Sequence, residues 1–215
     1  MTSAVDICNM ALNLLGDEAT VVSVFPPEGS MQARMVATAY PFALNSLLES
    51  FDWTFARRSV VCSPLETATT DGWRYAFILP SDCLRVRSLR MKERDEPYAP
   101  VGHVYGYWDG DSNDIEYTLG VVDKQRVVFT DAYAPVVRYT SKNTEPDLFS
   151  PSFATALAYK VALLVAGKMI GDENGVKRVS SLEKSVAREM ALARSYDVAQ
   201  RQRLFRFVPK WISGR

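Results

Sequence analysis

Apolar residues recur at helical spacing from the start of the chain: Val5, Ile7, Cys8, Ala11, Leu12, Leu14 and Leu15. Ser3 stands where an N-cap belongs and Gly16 just past the last turn, so the pattern predicts a short first helix. The connector VVSVFPPEGS ends in Pro26, Pro27 and Gly29, and Ser30 then opens a second helix with Met31, Met35, Val36, Ala39, Leu44, Leu47, Leu48 and Phe51 as its apolar positions. Pro41 lies inside it. An interior proline removes one hydrogen bond and clashes with the preceding turn, at about 3 kcal/mol, so a kink or restart at Tyr40 and two helical segments are expected.

From Trp53 to Thr140 the pattern changes. RSVVC, RYAFILP, LRVRSLRM, HVYGYW, DIEYTLG, QRVVFT and PVVRYT are short β-branched or aromatic runs separated by turn chemistry, with no crossover helix between them. They predict a small antiparallel barrel or sandwich. Leu84, Val86 and Leu89 against Arg85, Arg87 and Arg90 suggest one buried and one wet face on a strand.

Helical periodicity returns after SKNTEPDLFSPS. The run FATALAYKVALLVAGKMI is apolar almost all round and predicts a helix buried on several sides. GDENG at 171–175 breaks it. A fourth helix then carries Val176, Val179, Leu182, Val186, Met190 and Ala193 on one stripe. The fold class expected is therefore α+β: a helical bundle formed by both ends of the chain, residues 1–52 and 147–200, with an inserted antiparallel β barrel or sandwich module at 53–146 and a C-terminal docking tail at 201–215.

Composition narrows the function classes. A chain of 215 residues with 47% hydrophobic content can bury a core. Lys+Arg and Asp+Glu both number 25, so no global field exists to hold a polyanion, and any basic surface is local. The three cysteines, Cys8, Cys62 and Cys83, have no CxxC spacing and are odd in number, which argues for a reducing cytoplasm and against a disulfide framework. The N-terminus lacks the basic start of a signal peptide, and the longest apolar run is too short for a membrane span, so a soluble protein with no membrane association is expected.

Candidate chemistry is sparse. His103 is the only histidine, and neither a metal site nor a Ser/His/Asp triad finds partners for it at useful spacing. DGDSNDIEYTLG, 109–120, has acids at the first and third positions of a calcium loop, but Asp114 stands where a Gly is needed and Gly120 where a bidentate Glu is needed. A hairpin turn begun by Asp109-Gly110 is the better reading. GDENG lacks the strand and glycine spacing of a phosphate loop. No spacing selects a carboxylate pair for glycoside chemistry. No catalytic, metal-ligating or cofactor-binding residue is assigned, and no cofactor.

The C-terminal stretch RQRLFRFVPKWISGR is different. Arg203, Leu204, Phe205, Arg206, Phe207, Lys210, Trp211 and Ile212 interleave basic and aromatic side chains of the kind interface hot spots use. Three readings stand: the tail folds back on its own core, it binds nucleic acid by stacking and charge, or it docks onto a neighbouring protein.

ICNMALNLLG, then LL…FDWTFARR, then YAFILPSDCLRV, then SPSFATALAYKVALLVAGKMI and finally AREMALARSYDVAQ resemble, in this order and over nearly the whole chain, the tail tubular protein A family, the head-to-tail adaptors of short-tailed phages. The resemblance implies a virion structural protein of the viral tail, assembled in the host cytoplasm, whose copies form a dodecameric ring beneath the portal protein. The tail tube or nozzle protein lies below, and DNA passes through the centre without sequence-specific binding. It implies a helical bundle with a β domain between the second and third helices, and a C-terminal segment that grips the portal. It also supplies the junction at LLESFDWTFARRSVV, where Trp53 and Phe55 read as anchors of the second helix entering the sheet, with Arg57 and Arg58 on strand faces or an intersubunit seam. Two other classes stay open: a weak cell-wall or glycan hydrolase, with which some such adaptors have been credited, and a DNA-binding module, whose affinity would fall steeply with salt.

Overall fold

Ser3 and Asp6 close the first turn reciprocally: the Asp6 N–H donates to Ser3 Oγ at 3.1 Å, and the Ser3 N–H donates to the Asp6 carboxylate at 2.9 Å. The Ser3 N–H foremost, and after it the Ser3 hydroxyl, which also donates to the carboxylate at 2.7 Å, hold the Asp6 carboxyl below its ordinary range. The computed structural model describes residues 2–18, 20–65, 72–90, 115–169 and 173–200. Its helices are α1 (Ala4–Leu14), α2 (Met31–Ser50), α3 (Pro151–Met169) and α4 (Glu173–Ala199), and its strands are β1 (Arg57–Val61), β2 (Ser63–Pro64), β3 (Tyr75–Ile78), β4 (Cys83–Arg90), β5 (Thr118–Val122), β6 (Gln125–Thr130) and β7 (Val136–Ser141). The fold is mixed α+β.

By its contacts the chain divides into a helical unit, Met1–Ala56 with Ser141–Arg201, and a β unit built on Arg57–Thr140. The sequence reading set these boundaries at 52/53 and 146/147. The contacts set them after Ala56 and after Thr140, because Trp53 and Phe55 pack within the helical unit, where the Ser141 N–H also donates to Ala56 O at 2.8 Å.

In the helical unit α1 ends in a Schellman arrangement. Gly16 has φ 80°, its N–H donates to Asn13 O at 3.0 Å, and the Asp17 N–H donates to Leu12 O at 3.1 Å. The Asn9 side chain then pairs both ways with the backbone of Val21, donating at 3.0 Å and accepting at 2.8 Å, which seats the buried Val21 and Val24 of the connector. α2 starts at Ser30, whose Oγ accepts from the Ala33 N–H at 3.1 Å. Contrary to the expected restart at Tyr40, α2 runs as one helix through Pro41. Pro41 itself is exposed, whereas Val36, Ala39, Tyr40, Ala43, Leu47 and Leu48 are buried on either side of it. Tertiary burial of those side chains, about 1.5–3 kcal/mol for each large one, offsets a single missing hydrogen bond.

α3 touches α1, α2 and α4, which accounts for its nearly all-apolar sequence. Phe153, Ala156, Leu157, Ala158, Val161, Ala162 and Ala166 are all fully buried, and the alanines let neighbouring helices approach. α4 presents Leu182, Met190, Ala193 and Asp197 to the core and leaves Glu183, Lys184 and Arg188 in water.

The β unit holds two antiparallel sheets, of order β1-β7-β4 and β2-β3-β6-β5. β1 pairs with β7 from Arg57↔Thr140 to Val61↔Val136, after which the chain changes sheets at Cys62, and Ser63 pairs with Ile78. Among the described residues the sheets are not closed into a barrel, so the barrel form of the expectation is corrected. The two sheets follow one another through the run β1–β2, bent at Cys62; closure would require β4 to pair with β5, and the strand orders leave both at sheet edges. One buried cluster, with Phe77, Val86, Leu89, Val128, Val137 and Tyr139, draws on strands of both sheets.

The alternation expected along β4 also fails in part. Val86 is buried and Arg85 exposed, but Ser88 and Leu89 are buried side by side, and Leu84 is only half-buried. Val86 and Leu89, three residues apart, enter the same cluster, which a strict two-residue period does not allow. The run HVYGYW lies outside the described residues. Among those described, no helix is long and apolar enough to cross a membrane.

Candidate functional site

α2 ends without glycine or proline. Phe51 leaves the helix with extended backbone, φ −151°, and two side chains take up the Leu47 carbonyl left over at the last turn: Ser50 Oγ donates at 2.7 Å and Trp53 Nε1 at 2.8 Å. The indole is 0% exposed, so its one polar atom needed an internal partner. Around it stand Phe51, Phe55 and Phe153 at centroid separations of 5.0, 5.9 and 4.9 Å, and Phe149 joins through Phe55 and Phe153 at 5.3 and 4.9 Å. Most of these pairs are edge-to-face or tilted, the geometry the ring quadrupoles prefer, and each contributes about 0.5–1.5 kcal/mol beyond area burial. Arg194 of α4 lies over the Phe51 ring at 5.8 Å.

Trp53 and Phe55 therefore sit in an aromatic cluster of the helical unit, built from the end of α2, the start of α3 and the segment between α2 and β1. Thr54, between them, donates its N–H and its hydroxyl to the two oxygens of Asp197 on α4, at 2.9 and 3.0 Å. The sequence reading missed Asp197. Its signal was available: at four residues past Ala193 and seven past Met190 it continues the apolar stripe of α4, and an acid on such a stripe implies an internal donor.

Arg57 and Arg58 lie on β1, opposite Thr140 and Tyr139. The Arg58 guanidinium donates to Arg57 O at 3.1 Å, and the Tyr139 hydroxyl donates to Asp82 at 3.2 Å. Burial foremost, with the Asp82 charge behind it, pushes the Tyr139 phenol up to about 12. No described contact of these residues marks a ligand.

All three cysteines are buried and free. Burial pushes the Cys8 thiol up to about 12 and Cys62 up to about 11, and it raises Cys83 as well, so each favours the neutral thiol over the nucleophilic thiolate. Among the described residues no group of three or more His, Cys, Asp or Glu side chains could hold a metal ion. Gly120, the last position of the rejected calcium loop, lies on β5, where a Cβ would meet the Phe129 ring at 2.5 Å. His103, the Asp109-Gly110 turn and the tail residues Arg203, Leu204, Phe205, Arg206, Phe207, Lys210, Trp211 and Ile212 lie outside the described residues.

A concave surface lies on the helical unit. Met35, Thr38, Ala39 and Phe42 of α2 and Leu164 and Val165 of α3 line an open groove of about 200 Å³. Phe42 is 71% and Leu164 47% exposed, and the groove carries no charge, so it suits apolar contact and not acid–base work.

No protein-family model matches this chain, and no curated protein matches it.

Proposed function

We propose that this chain is a head-to-tail adaptor of a short-tailed phage, a virion structural protein and not an enzyme, whose copies form a dodecameric ring between the portal protein and the tail tube or nozzle. The observation that carries the reading is the order of the chain. Two N-terminal and two C-terminal helices make one unit, read here as a bundle, and the segment between the second and third helices makes a separate β unit. That is the architecture implied by the ordered motifs from ICNMALNLLG to AREMALARSYDVAQ. Equal numbers of acidic and basic residues, 25 each, suit a channel through which DNA slides without being held at many phosphates. A ring of this kind needs heterologous contacts, in which one patch of each copy fits a different patch of the next. In this reading the C-terminal tail, with Phe205, Phe207 and Trp211 as anchors, grips the portal.

Native mass spectrometry of the protein mixed with the portal protein encoded beside it, with each alone as control, tests the proposal. The expected result is a discrete complex carrying a dodecameric complement of this chain. No complex under any condition would overturn it. A monomer in the absence of portal is compatible with a ring that forms only on its template.

A further inference from the structure

We draw no further inference here: the strongest candidate, the apolar groove between α2 and α3 lined by Met35, Thr38, Ala39, Phe42, Leu164 and Val165, is an unpartnered face, and nothing in the structure shows what covers it.

Discussion

Thr54 and Asp197, 143 residues apart, form a two-point clamp: both carboxylate oxygens of Asp197 accept from Thr54, one from its N–H and one from its hydroxyl. Asp197 is 7% exposed, so its charge depends on internal donors. The clamp ties the last turns of α4 to the segment leaving α2, and so joins the two ends of the chain that make up the helical unit.

Both bonds are charge-assisted, so their loss should cost more than that of neutral hydrogen bonds; Thr54 is exposed and can turn to water, whereas Asp197 is buried. Asp197→Ala is expected to destabilise the protein by about 2–3 kcal/mol and Thr54→Val by about 1 kcal/mol. Urea denaturation of both variants and of the double variant checks this. A coupling of about 0.5 kcal/mol or more is expected, and simple additivity would mean that the clamp contributes nothing of its own.

The aromatic cluster makes a graded prediction. Phe153 is fully buried against Trp53, Phe55 and Phe149, whereas Phe51 touches Trp53 at the edge of the cluster and is only partly buried. Phe153→Ala should cost about 3–5 kcal/mol and Phe51→Ala distinctly less. Trp53→Phe should cost about 1–3 kcal/mol, since it removes the bond to Leu47 O and some ring volume while Ser50 still satisfies that carbonyl. Equal melting temperatures for Phe153→Ala and Phe51→Ala would contradict this account of the core.

What could be read ahead of the structure divides by range. Ser3, Gly16 and Ser30 were legible because a cap is local chemistry, settled within four residues of itself. The continuity of α2 through Pro41 was not, since the local cost of proline is outweighed by burial against elements far away in sequence. The failed alternation at Ser88–Leu89 and the change of sheet at Cys62 likewise depend on which strands lie opposite. Trp53 and Phe55 stood out in the sequence as large aromatic side chains, but not the carbonyl of Leu47 or the carboxylate beside them, because a hydrogen-bond partner leaves no period in the sequence. The tail, the sharpest functional signal, is known by its chemistry alone.

The β5–β6 hairpin contains a close approach and a strain that can be tested separately. Gly120→Ala would put its Cβ into the buried Phe129 ring and is expected to cost about 1–3 kcal/mol, with part recovered by adding Phe129→Leu. At the turn, Asp123 and Lys124 have φ of 49° and 65°, the left-handed pair of a type I′ turn, where Lys is poorly suited to the second position. Lys124→Gly should therefore stabilise the protein by about 0.5–1 kcal/mol. Chemical denaturation reads both, and a destabilised Lys124→Gly would show that the lysine side chain contributes more than the backbone strain costs.

The buried thiols predict a direction of pH dependence. Their ordinary value is 9.0, and in the folded protein Cys8 stands at about 12 and Cys62 at about 11. Above pH 9.0 the unfolded chain releases these protons while the folded chain retains them, so the stabilisation is fully present below that value and is lost as pH rises through the folded values. The raised phenol of Tyr139 acts in the same direction at higher pH. Denaturation midpoints should fall steadily between about pH 9 and about pH 11, less steeply in Cys8→Ala, and native protein should react with thiol reagents only as fast as it unfolds. Rapid modification of any of the three thiols in the native state would contradict their burial.

The tail tests the adaptor reading at residue level. Its two kinds of side chain should fail differently if it docks onto the portal. Phe205→Ala, Phe207→Ala and Trp211→Ala each remove an apolar anchor and should raise Kd by about 30-fold, a loss of about 2 kcal/mol that appears in the dissociation rate. Replacing Arg203, Arg206 or Lys210 by Gln should act mainly on the association rate and its dependence on salt, because rim charges steer encounter more than they hold the complex. Leu204→Ala and Ile212→Ala should fall between these classes. Surface plasmon resonance against immobilised portal protein separates the two rates. Truncation after Gln200 sets the limit: the shortened protein should lose portal binding, and if it bound as well as the full chain, the docking role of the tail would be refuted while the ring itself could still form.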